Sequence, residues 1–391
     1  MFDTLKIKEL QILCKKHKIP YSGKNKKEMI SLLENTAACI TEKLEKVSLD
    51  NKKEKGQFYT VHSDYILEGL TIPKDIPIIE PFTGKGDLIT WTKKNFSIVD
   101  IEKYDIDPKY PETTKQDTLD KPPNYKDKFV ITNPPYLARN KCDDKKLFDK
   151  YNTNDLYKCF IHSISDKELL KGGILIIPVG FFLSPRDIDV RCRNNFLSKY
   201  KITRVNYFEE DVFPDTPTTV VSFQFERSET TLESQTILWV KYPSKQEQFF
   251  DIKKENNWII GGDIYNLSFP KDLKIKRYVE GHELKDGYQI LHLTLSGLDS
   301  GKEDGKISLD YKEGFVYKAK DTSRTYATLC LYGKHLTNEK QKELSKKFNE
   351  FINKKREETW SLFLPQFRES KEYARKRIPF ELAYDIVLHL I

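Results

Sequence analysis

Four residues, Asn133-Pro134-Pro135-Tyr136, constrain this chain more than any other feature of its sequence. They follow the apolar run at 129–131, which is typical of the end of a buried strand. The Asn133 side chain and the Pro134 backbone each supply a carbonyl acceptor, while the prolines fix the backbone and remove competing amide donors. Tyr136 adds a ring face for stacking. The set suits the binding of a planar amino group beside a methyl donor, although Asn-Pro is also a common turn starter.

A second motif, at 76–88, predicts a strand, a glycine turn and the start of a helix. Gly84 and Gly86 would let the backbone approach a ligand at the amino end of that helix. A complete dinucleotide fingerprint needs a third glycine where Ile89 stands, which disfavours a pyrophosphate cofactor. Glu80 at the strand tip would also repel phosphate, and it favours a cationic ligand such as S-adenosylmethionine.

Two further acids follow in the order that a nucleoside cofactor requires. Asp105 ends the strand expected from residue 97, about twenty residues beyond the glycines, where an acid usually binds ribose hydroxyls. Asp117, after another short turn, is placed to accept a hydrogen bond from an adenine amino group. Each acid alone is more often a solvated loop carboxylate, and only their order before Asn133 favours a site.

In this order the motifs resemble those of the gamma-class N6-adenine DNA methyltransferases of restriction–modification systems. The resemblance covers residues 56–227 and includes the segment at 56–60, which opens the cofactor pocket in that class. It implies an α/β, doubly wound methyltransferase fold, S-adenosylmethionine as cofactor and no metal. It also implies that the substrate is double-stranded DNA with the target adenine flipped out, and it leaves open a separate cognate restriction endonuclease as partner.

The resemblance assigns roles to individual positions. The catalytic residues that it implies are Asn133, Pro134, Pro135, Tyr136 and Phe213, with the two aromatic rings stacking on the flipped adenine. The cofactor contacts that it implies are Phe58, Tyr59, Thr60, Glu80, Pro81, Phe82, Gly84, Gly86, Asp105, Ile106, Asp117 and Asn133.

The charge of the 391 residues is unevenly distributed. Residues 1–55 carry 13 Lys and Arg against 8 Asp and Glu, residues 334–377 carry 13 against 7, and residues 56–333 carry 40 against 42. Basic ends around a near-neutral centre favour nucleic-acid contacts beside a cofactor site, although Lys-rich surfaces are also common without such a role. The most concentrated positive cluster, where a DNA-backbone contact is expected, is Arg375, Lys376 and Arg377.

The pattern along the chain predicts four segments. Residues 1–35 resemble a SAP module, a small helix–extension–helix DNA-binding motif, and a plain helical hairpin is the alternative. Residues 36–55 are expected to be a helical linker. Residues 56–227 are predicted to fold alone as the catalytic domain, leaving residues 228–391 as a mixed α+β target-recognition domain. The expected phosphate contacts of the SAP-like module are Lys24, Lys26 and Lys27.

Six cysteines without close pairs indicate neither a disulfide framework nor a zinc site, so a reducing intracellular compartment is expected. The longest apolar runs have the length of strands, and no signal peptide or membrane span is predicted. The same catalytic motif also occurs in enzymes that methylate RNA adenines or protein glutamine amides. A non-catalytic DNA-binding protein on the same fold is a further alternative.

Overall fold

The computed structural model describes residues 24–34, 60, 62–98, 100–166, 169–213, 218–299, 306–367 and 375–391, together with Ile7, Gln11 and Cys14. These residues belong to two compact units, Met1–Gln57 and Phe58–Ile391. The predicted linker at 36–55 and the predicted cofactor residues Phe58 and Tyr59 lie outside the described residues.

In the first unit, a helix runs over residues 26–34, where the sequence predicts the second helix of the N-terminal segment. Asn25 and Glu28 begin it with reciprocal hydrogen bonds: Glu28 N donates to Asn25 Oδ1 at 3.0 Å, and Asn25 N donates to Glu28 Oε2 at 2.7 Å. This capping box satisfies two backbone donors at the helix start. The buried face of the helix consists of Met29, Ile30 and Leu33.

A nine-stranded sheet forms the framework of the second unit, in the order β3-β2-β1-β4-β5-β7-β6-β8-β9. Its strands are β1 (Ile78–Glu80), β2 (Ile101–Asp105), β3 (Thr114–Lys115), β4 (Phe129–Thr132), β5 (Gly172–Pro178), β6 (Tyr200–Phe208), β7 (Val220–Arg227), β8 (Ser234–Tyr242) and β9 (Gln246–Lys253). Neighbours from β3 to β5 are parallel, and β7 runs antiparallel to β5 and β6. Every residue of β1 and β4 is buried, as in a parallel sheet covered on both faces. The predicted doubly wound fold is therefore confirmed.

Helices alternate with the strands of this sheet. They are α1 (Ser63–Ile66), α2 (Asp87–Phe96), α3 (Lys146–Lys150), α4 (Leu156–Ile164), α5 (Gly180–Leu183) and α6 (Asp187–Leu197), with a 3-10 turn at Arg139–Lys141. In α2, Asp87 lies in the first turn and Lys93 and Lys94 lie in the last, which complements the helix dipole. Leu88, Ile89 and Trp91 of α2 belong to the same hydrophobic core as the strands.

The sheet does not end at the predicted domain boundary after residue 227. β8 pairs with β6, and β9 pairs with β8. Trp239 of β8 is fully buried, with its ring centroid 5.2 Å from that of Phe182. Trp360 packs edge-on against Phe250 of β9 at a centroid distance of 5.0 Å. The core of this sheet thus uses residues well beyond 227, which the sequence did not reveal because an apolar strand pattern does not say which sheet the strand joins.

The remaining residues form a second core around a sheet in the order β10-β14-β11-β13. Its strands are β10 (Lys274–Arg277), β11 (Tyr288–Ser296), β13 (Ser308–Tyr311) and β14 (Tyr326–Tyr332). Its core includes residues of α7 (Asn338–Thr359) and α8 (Phe380–Leu390). The other elements are β12 (Leu298–Asp299), β15 (Gln366–Phe367), β16 (Arg375–Arg377) and 3-10 turns at Lys254–Asn256 and Gly262–Asn266. Of the helices described, none is long and apolar enough to cross a membrane.

Candidate active site

Three polar residues lie at the carboxyl ends of three adjacent parallel strands. β1 pairs with both β2 and β4, so Glu80, Asp105 and Asn133 reach the same edge of the sheet. Ligands of doubly wound proteins bind at this edge. The tertiary structure therefore brings together three of the residues that the sequence selected, and we call this group the strand-edge site.

The Asp105 carboxylate connects the glycine turn to the turn after β2. Its Oδ2 accepts from the Gly84 backbone N–H at 2.7 Å, and its Oδ1 accepts from the Asp107 N–H at 2.7 Å. Gly84 has a φ of 53°, in the left-handed region that glycine adopts without strain. The carboxylate is thus held in one orientation, while each of its oxygens can accept a further hydrogen bond.

Gly86 is required for a different reason. A Cβ at this position would lie 1.9 Å from Cδ2 of Tyr110, and the φ of Gly86 is 84°. The Tyr110 ring therefore lies directly against the turn, which no side chain at position 86 would permit. Tyr110 was missed by sequence reasoning because it comes from an irregular loop and belongs to no motif.

Glu80 is a buried carboxyl at the end of β1. Its Oε1 accepts hydrogen bonds from the Phe82 N–H at 3.0 Å and from the Thr132 hydroxyl. Its Oε2 is also buried and has no hydrogen-bond partner in the part of the chain that the structure describes. Burial raises the pKa of Glu80 to about 8, although the bonds from Thr132 and Phe82 act in the opposite direction. Glu80 thus orders the strand end through Oε1, while Oε2 has no partner among the described residues.

A cleft lies between the glycine turn and Asn133. Its lining consists of Thr60, Phe82, Thr83, Gly84, Lys85, Asp87, Leu88 and Asn133. Thr60, Phe82, Gly84 and Asn133 were predicted as cofactor contacts, whereas Glu80 does not belong to this lining. The structure therefore places predicted residues from three separate motifs around one cavity.

Four lining residues of the cleft were missed by sequence reasoning: Thr83, Lys85, Asp87 and Leu88. They stand in the glycine turn and in the first turn of α2, so their position beside Gly84 was the signal that could have found them. Burial raises the pKa of the Asp87 carboxyl, while the charge of Lys85 lowers it. The cleft thus carries a charge of each sign at its helix end.

The Asn133 amide is held at both of its polar atoms. Its Nδ2 donates to the Thr60 hydroxyl at 3.1 Å, and its Oδ1 accepts from the Tyr136 hydroxyl. The Tyr136 hydroxyl also lies 2.8 Å from the backbone oxygen of Ile176. Burial raises the pKa of Tyr136 well above its ordinary value, so the hydroxyl remains a donor at neutral pH. The acceptor predicted to bind a target amine is therefore held by a tyrosine that has a second acceptor within reach.

The two rings predicted to stack on a base are both covered in this structure. Tyr136 is 8% exposed and Phe213 is 3% exposed. The Tyr136 ring lies edge-on to Tyr157 at a centroid distance of 6.2 Å. A stacked base needs an open ring face, so the expectation of ready stacking surfaces does not describe this state of the protein. The stacking roles themselves stay predictions.

The predicted contacts for the nucleoside part of a cofactor lie beyond Asp105. Ile106 is 53% exposed, unusually open for a large apolar residue. Asp117 uses its Oδ1 to accept from the Leu119 N–H at 3.0 Å and from the Asp120 N–H at 3.1 Å. The intervening Thr118 hydroxyl donates to the Pro81 carbonyl at 3.1 Å, which ties this turn to the end of β1.

Lys376, which was predicted with Arg375 and Arg377 to contact DNA, is largely covered in this structure. Its side chain is only 13% exposed, and its Nζ donates to the Trp360 carbonyl at 2.9 Å. Burial lowers the pKa of Lys376, against the opposing charge of Glu209, whose Oε1 lies 3.9 Å from Nζ. Its contact with a DNA phosphate stays a prediction, and it requires that this cover opens. Arg377 is partly exposed.

The lysines predicted to bind phosphate in the first unit lie at the start of its helix. Lys24 and Lys27 are exposed, and Lys26 is partly exposed. Their DNA contact stays a prediction. Within the described residues, no group of three or more His, Cys, Asp or Glu side chains is arranged to hold a metal ion.

A family model described as the Eco57I restriction-modification methylase matches residues 3–213, more than half of the chain. This chain belongs to the Eco57I restriction-modification methylase family. The restriction–modification family predicted from the motifs is thereby confirmed, and the doubly wound sheet is the methyltransferase fold that it implies. The SAP resemblance of residues 1–35 stays a prediction.

Several solved structures are similar to this chain. The modification subunit assigned to a type I restriction enzyme of Vibrio vulnificus YJ016 is 15% identical, with a TM-score of 0.40 over 57% of this chain and 54% of that one. The type IIG restriction endonuclease BpuSI is 14% identical, with a TM-score of 0.38 over 67% of this chain and 42% of that one. The type I methyltransferase subunit from Streptococcus thermophilus is 13% identical, with a TM-score of 0.38 over 52% of this chain and 59% of that one. This chain thus spans about half the length of these proteins. Among proteins of curated function, none matches the sequence.

Proposed function

We propose that this protein is a site-specific DNA methyltransferase that transfers the methyl group of S-adenosylmethionine to N6 of adenine. The observation that carries the proposal is the cleft in which Gly84 of the glycine turn and Asn133 of the catalytic motif line one cavity. Membership in a restriction–modification family favours DNA over the RNA and protein substrates of related motifs. It also fits a separate cognate endonuclease as a partner.

The residues at the strand ends beside the cleft fit the chemistry of the proposed cofactor, and the cleft itself, of about 30 Å³, must widen to hold it. Both Asp105 oxygens are oriented by backbone N–H groups and can accept from the ribose hydroxyls. The exposed Ile106 side chain offers apolar surface to the adenine, and Asp117 has a second carboxylate oxygen for the adenine amino group. A sulfonium and an ammonium near Glu80 would favour the ionised form of this buried carboxyl, whose Oε2 has no partner among the described residues.

The chemistry requires the chain to make a poor nucleophile reactive. When bound, S-adenosylmethionine supplies an electrophilic methyl group on a sulfonium. Asn133 Oδ1 and the Pro134 carbonyl would accept the two hydrogens of the target amine, which localises its lone pair on nitrogen. The Tyr136 hydroxyl can release Asn133 Oδ1 and still donate to Ile176 O, so no buried donor is left unsatisfied. Methyl transfer gives a cationic product, and the proton is lost from that product. No strong base is therefore needed before the attack.

An adenine inside a duplex cannot reach this cleft, so we propose that it flips out. Tyr136 and Phe213 would then stack on it, each contributing about 1–3 kcal/mol. Because both rings are covered in this structure, stacking requires that the residues around them open when DNA binds. The edge-on contact with Tyr157 is one of those that would change.

We further propose that residues 254–391, the part of the predicted target-recognition segment 228–391 that follows β9, select the DNA sequence and that residues 1–35 add contacts to phosphates. The first role follows from the absence of any motif of the catalytic class in that half. The second would use Lys24, Lys26 and Lys27 at the start of the described helix. Deletion of residues 1–57 should then weaken DNA binding without changing the methylated site.

The test is direct identification of the product. The protein is incubated with isotope-labelled S-adenosylmethionine and, in parallel, with unmethylated duplex DNA, RNA or a release-factor protein. Digestion of the DNA to nucleosides and mass spectrometry should then find the label in N6-methyladenine at one recurring site. Label in methylcytosine, or only in RNA or protein, would contradict the proposal.

A further inference from the structure

A second cavity, of about 520 Å³, lies next to the chain that directly follows the catalytic motif. This volume is in the range of pockets that bind small ligands. Two backbone hydrogen bonds fix its wall: Arg139 N donates to Asn154 O at 2.9 Å, and Leu156 N donates to Leu137 O at 3.2 Å. The cavity is therefore rigidly connected to the segment that carries Asn133 and Tyr136.

Cations dominate the wall of this cavity. Four of its lining side chains are basic, namely Arg139, Lys145, Lys158 and Arg186, against one acidic side chain, Asp155. Lys158 is 3% exposed and pairs with the equally buried Asp189. Arg186 Nε lies 2.7 Å from the second oxygen of Asp189. Asp189 thus serves two cations, and Arg139 Nη1 lies 2.6 Å from Asp149 Oδ1, so the four cations face three carboxylates and the wall keeps a small excess of positive charge.

Arg186 directs unused donors to the cavity. Its side chain is 65% exposed, and its Nε contacts Asp189 and the Ser184 hydroxyl. Its two Nη atoms have no hydrogen-bond partner among the described residues. Arg186 and Asp155 are also the N-cap residues of α6 and α4, and neither caps its helix with a side-chain hydrogen bond. The amino ends of both helices therefore add partial positive charge and backbone donors.

Asp155 limits where an anion can lie. Its Oδ1 is buried and has no hydrogen-bond partner within the described part of the chain. Its negative charge repels an anion at the floor of the cavity, beside Lys158. The rim, where Arg139 and the exposed Arg186 stand, is the favourable position.

We propose that this cavity is a phosphate subsite, in which Arg186 and Arg139 bind a backbone phosphate of the target strand beside the flipped adenosine. The identity of the strand rests on the proposed function. A flipped nucleotide keeps its flanking phosphates, and fixing one of them restricts the position of the base beside Asn133 before methyl transfer.

The test measures DNA binding by fluorescence anisotropy over a range of salt concentrations. Arg186→Gln and Arg139→Gln should each weaken binding about tenfold and lower the salt slope by about one, as expected for the loss of one phosphate contact. The matched control is Lys201→Gln, which removes a half-exposed cation at the amino end of β6, the end of the sheet opposite the site, and which should leave both values unchanged. Asp155→Asn removes the opposing charge and should tighten binding a few-fold.

Wild-type salt slopes in both arginine variants, or weaker binding by Asp155→Asn, would overturn the subsite. Thermal unfolding identifies an arginine variant that fails to fold, and the other variant then decides.

Methyl transfer to the same DNA is measured in parallel. If wild-type protein binds DNA with an Arg186-dependent slope but transfers no methyl group, the proposed function fails and the subsite stands. If the protein transfers the methyl group but the salt slopes of both arginine variants are unchanged, the subsite fails and the proposed function stands.

Discussion

The strand-edge site and the C-terminal half both bury charged groups, but they use them differently. At the strand edge, Glu80 Oε2 has no partner among the described residues, and Asn133 Oδ1 is held by a hydroxyl with a second acceptor. In the C-terminal half, Arg356 donates to Asp299 Oδ2 from Nε at 3.0 Å and also from Nη2. Lys376 likewise donates to the Trp360 carbonyl.

The difference lies in whether the protein itself supplies partners for all the hydrogen-bonding atoms of a buried group. A closed pair such as Arg356 and Asp299 fixes the packing of its surroundings. A buried group such as Glu80, which has one oxygen without a partner among the described residues, can still form a hydrogen bond or change its protonation when a ligand binds. Burial of a charge alone therefore does not mark a functional site, and the basic sequence around Lys376 does not show that its side chain already has a partner within the protein.

The largest expected effect tests how separable the two regions are. A chain that ends after Arg227 should not fold, because it loses β8 and β9 and leaves Phe182 without Trp239. Circular dichroism and denaturant unfolding of the truncated chain measure this. The control removes residues 1–57, which form a separate compact unit, and should leave cooperative unfolding. A cooperative transition in the chain ended at 227 would restore the predicted boundary.

Asn133→Ala tests the acceptor that Tyr136 holds at the strand edge. It should lower the single-turnover rate of methyl transfer by about 10²–10³-fold, the usual cost of one lost hydrogen-bonding group that acts on the transition state. Cofactor affinity, measured by calorimetry, should change by less than about fivefold, because one neutral hydrogen bond is lost. Asn124→Ala, an exposed asparagine whose Oδ1 accepts from Lys126 N at 2.8 Å in the loop before β4, is the matched control and should keep full activity. A near wild-type rate in Asn133→Ala would remove this residue from the chemistry.

Asp299→Ala tests the closed pair. The Arg356 side chain is 14% exposed, so loss of its partner leaves a buried charge and should lower the free energy of unfolding by about 3–5 kcal/mol. Glu350→Ala breaks an exposed pair with Lys346 and should cost only about 0.5 kcal/mol. Denaturant unfolding compares the two variants. Equal losses would show that closure of the buried pair contributes no more than a surface contact.

The smallest expected effect is a pH dependence at Glu80. Burial raises its pKa to about 8, so the folded cofactor-free protein binds this proton more tightly than the unfolded chain does. Its contribution to stability is therefore full below the unfolded value of about 4.3 and is lost as pH rises through the folded value. Between pH 6 and 9 the wild type should lose on the order of 2 kcal/mol more than Glu80→Gln. Urea unfolding across this range measures the difference, and parallel curves would show that Glu80 is already ionised.

Much of the strand-edge site could be predicted because its residues follow apolar strands in a fixed order. Glu80, Asp105 and Asn133 each end such a run, and the carboxyl ends of adjacent parallel strands meet at one edge. Tyr110 could not be predicted, because its contact with Gly86 depends on the path of a loop. The second sheet and the pairing of Arg356 with Asp299 could not be predicted either, since they join residues far apart in sequence.

The sequence by itself determined the doubly wound sheet, the left-handed glycine turn and the positions of the polar groups at the strand ends. These depend on local alternation of apolar residues and on the conformational limits of glycine and proline, which act within a few residues. Only the tertiary structure decided that β8 and β9 extend the catalytic sheet, that Lys376 is enclosed, and that Tyr136 holds Asn133 Oδ1. Each of these outcomes depends on which distant residue supplies a hydrogen-bond partner or covers a side chain, and no local pattern specifies that.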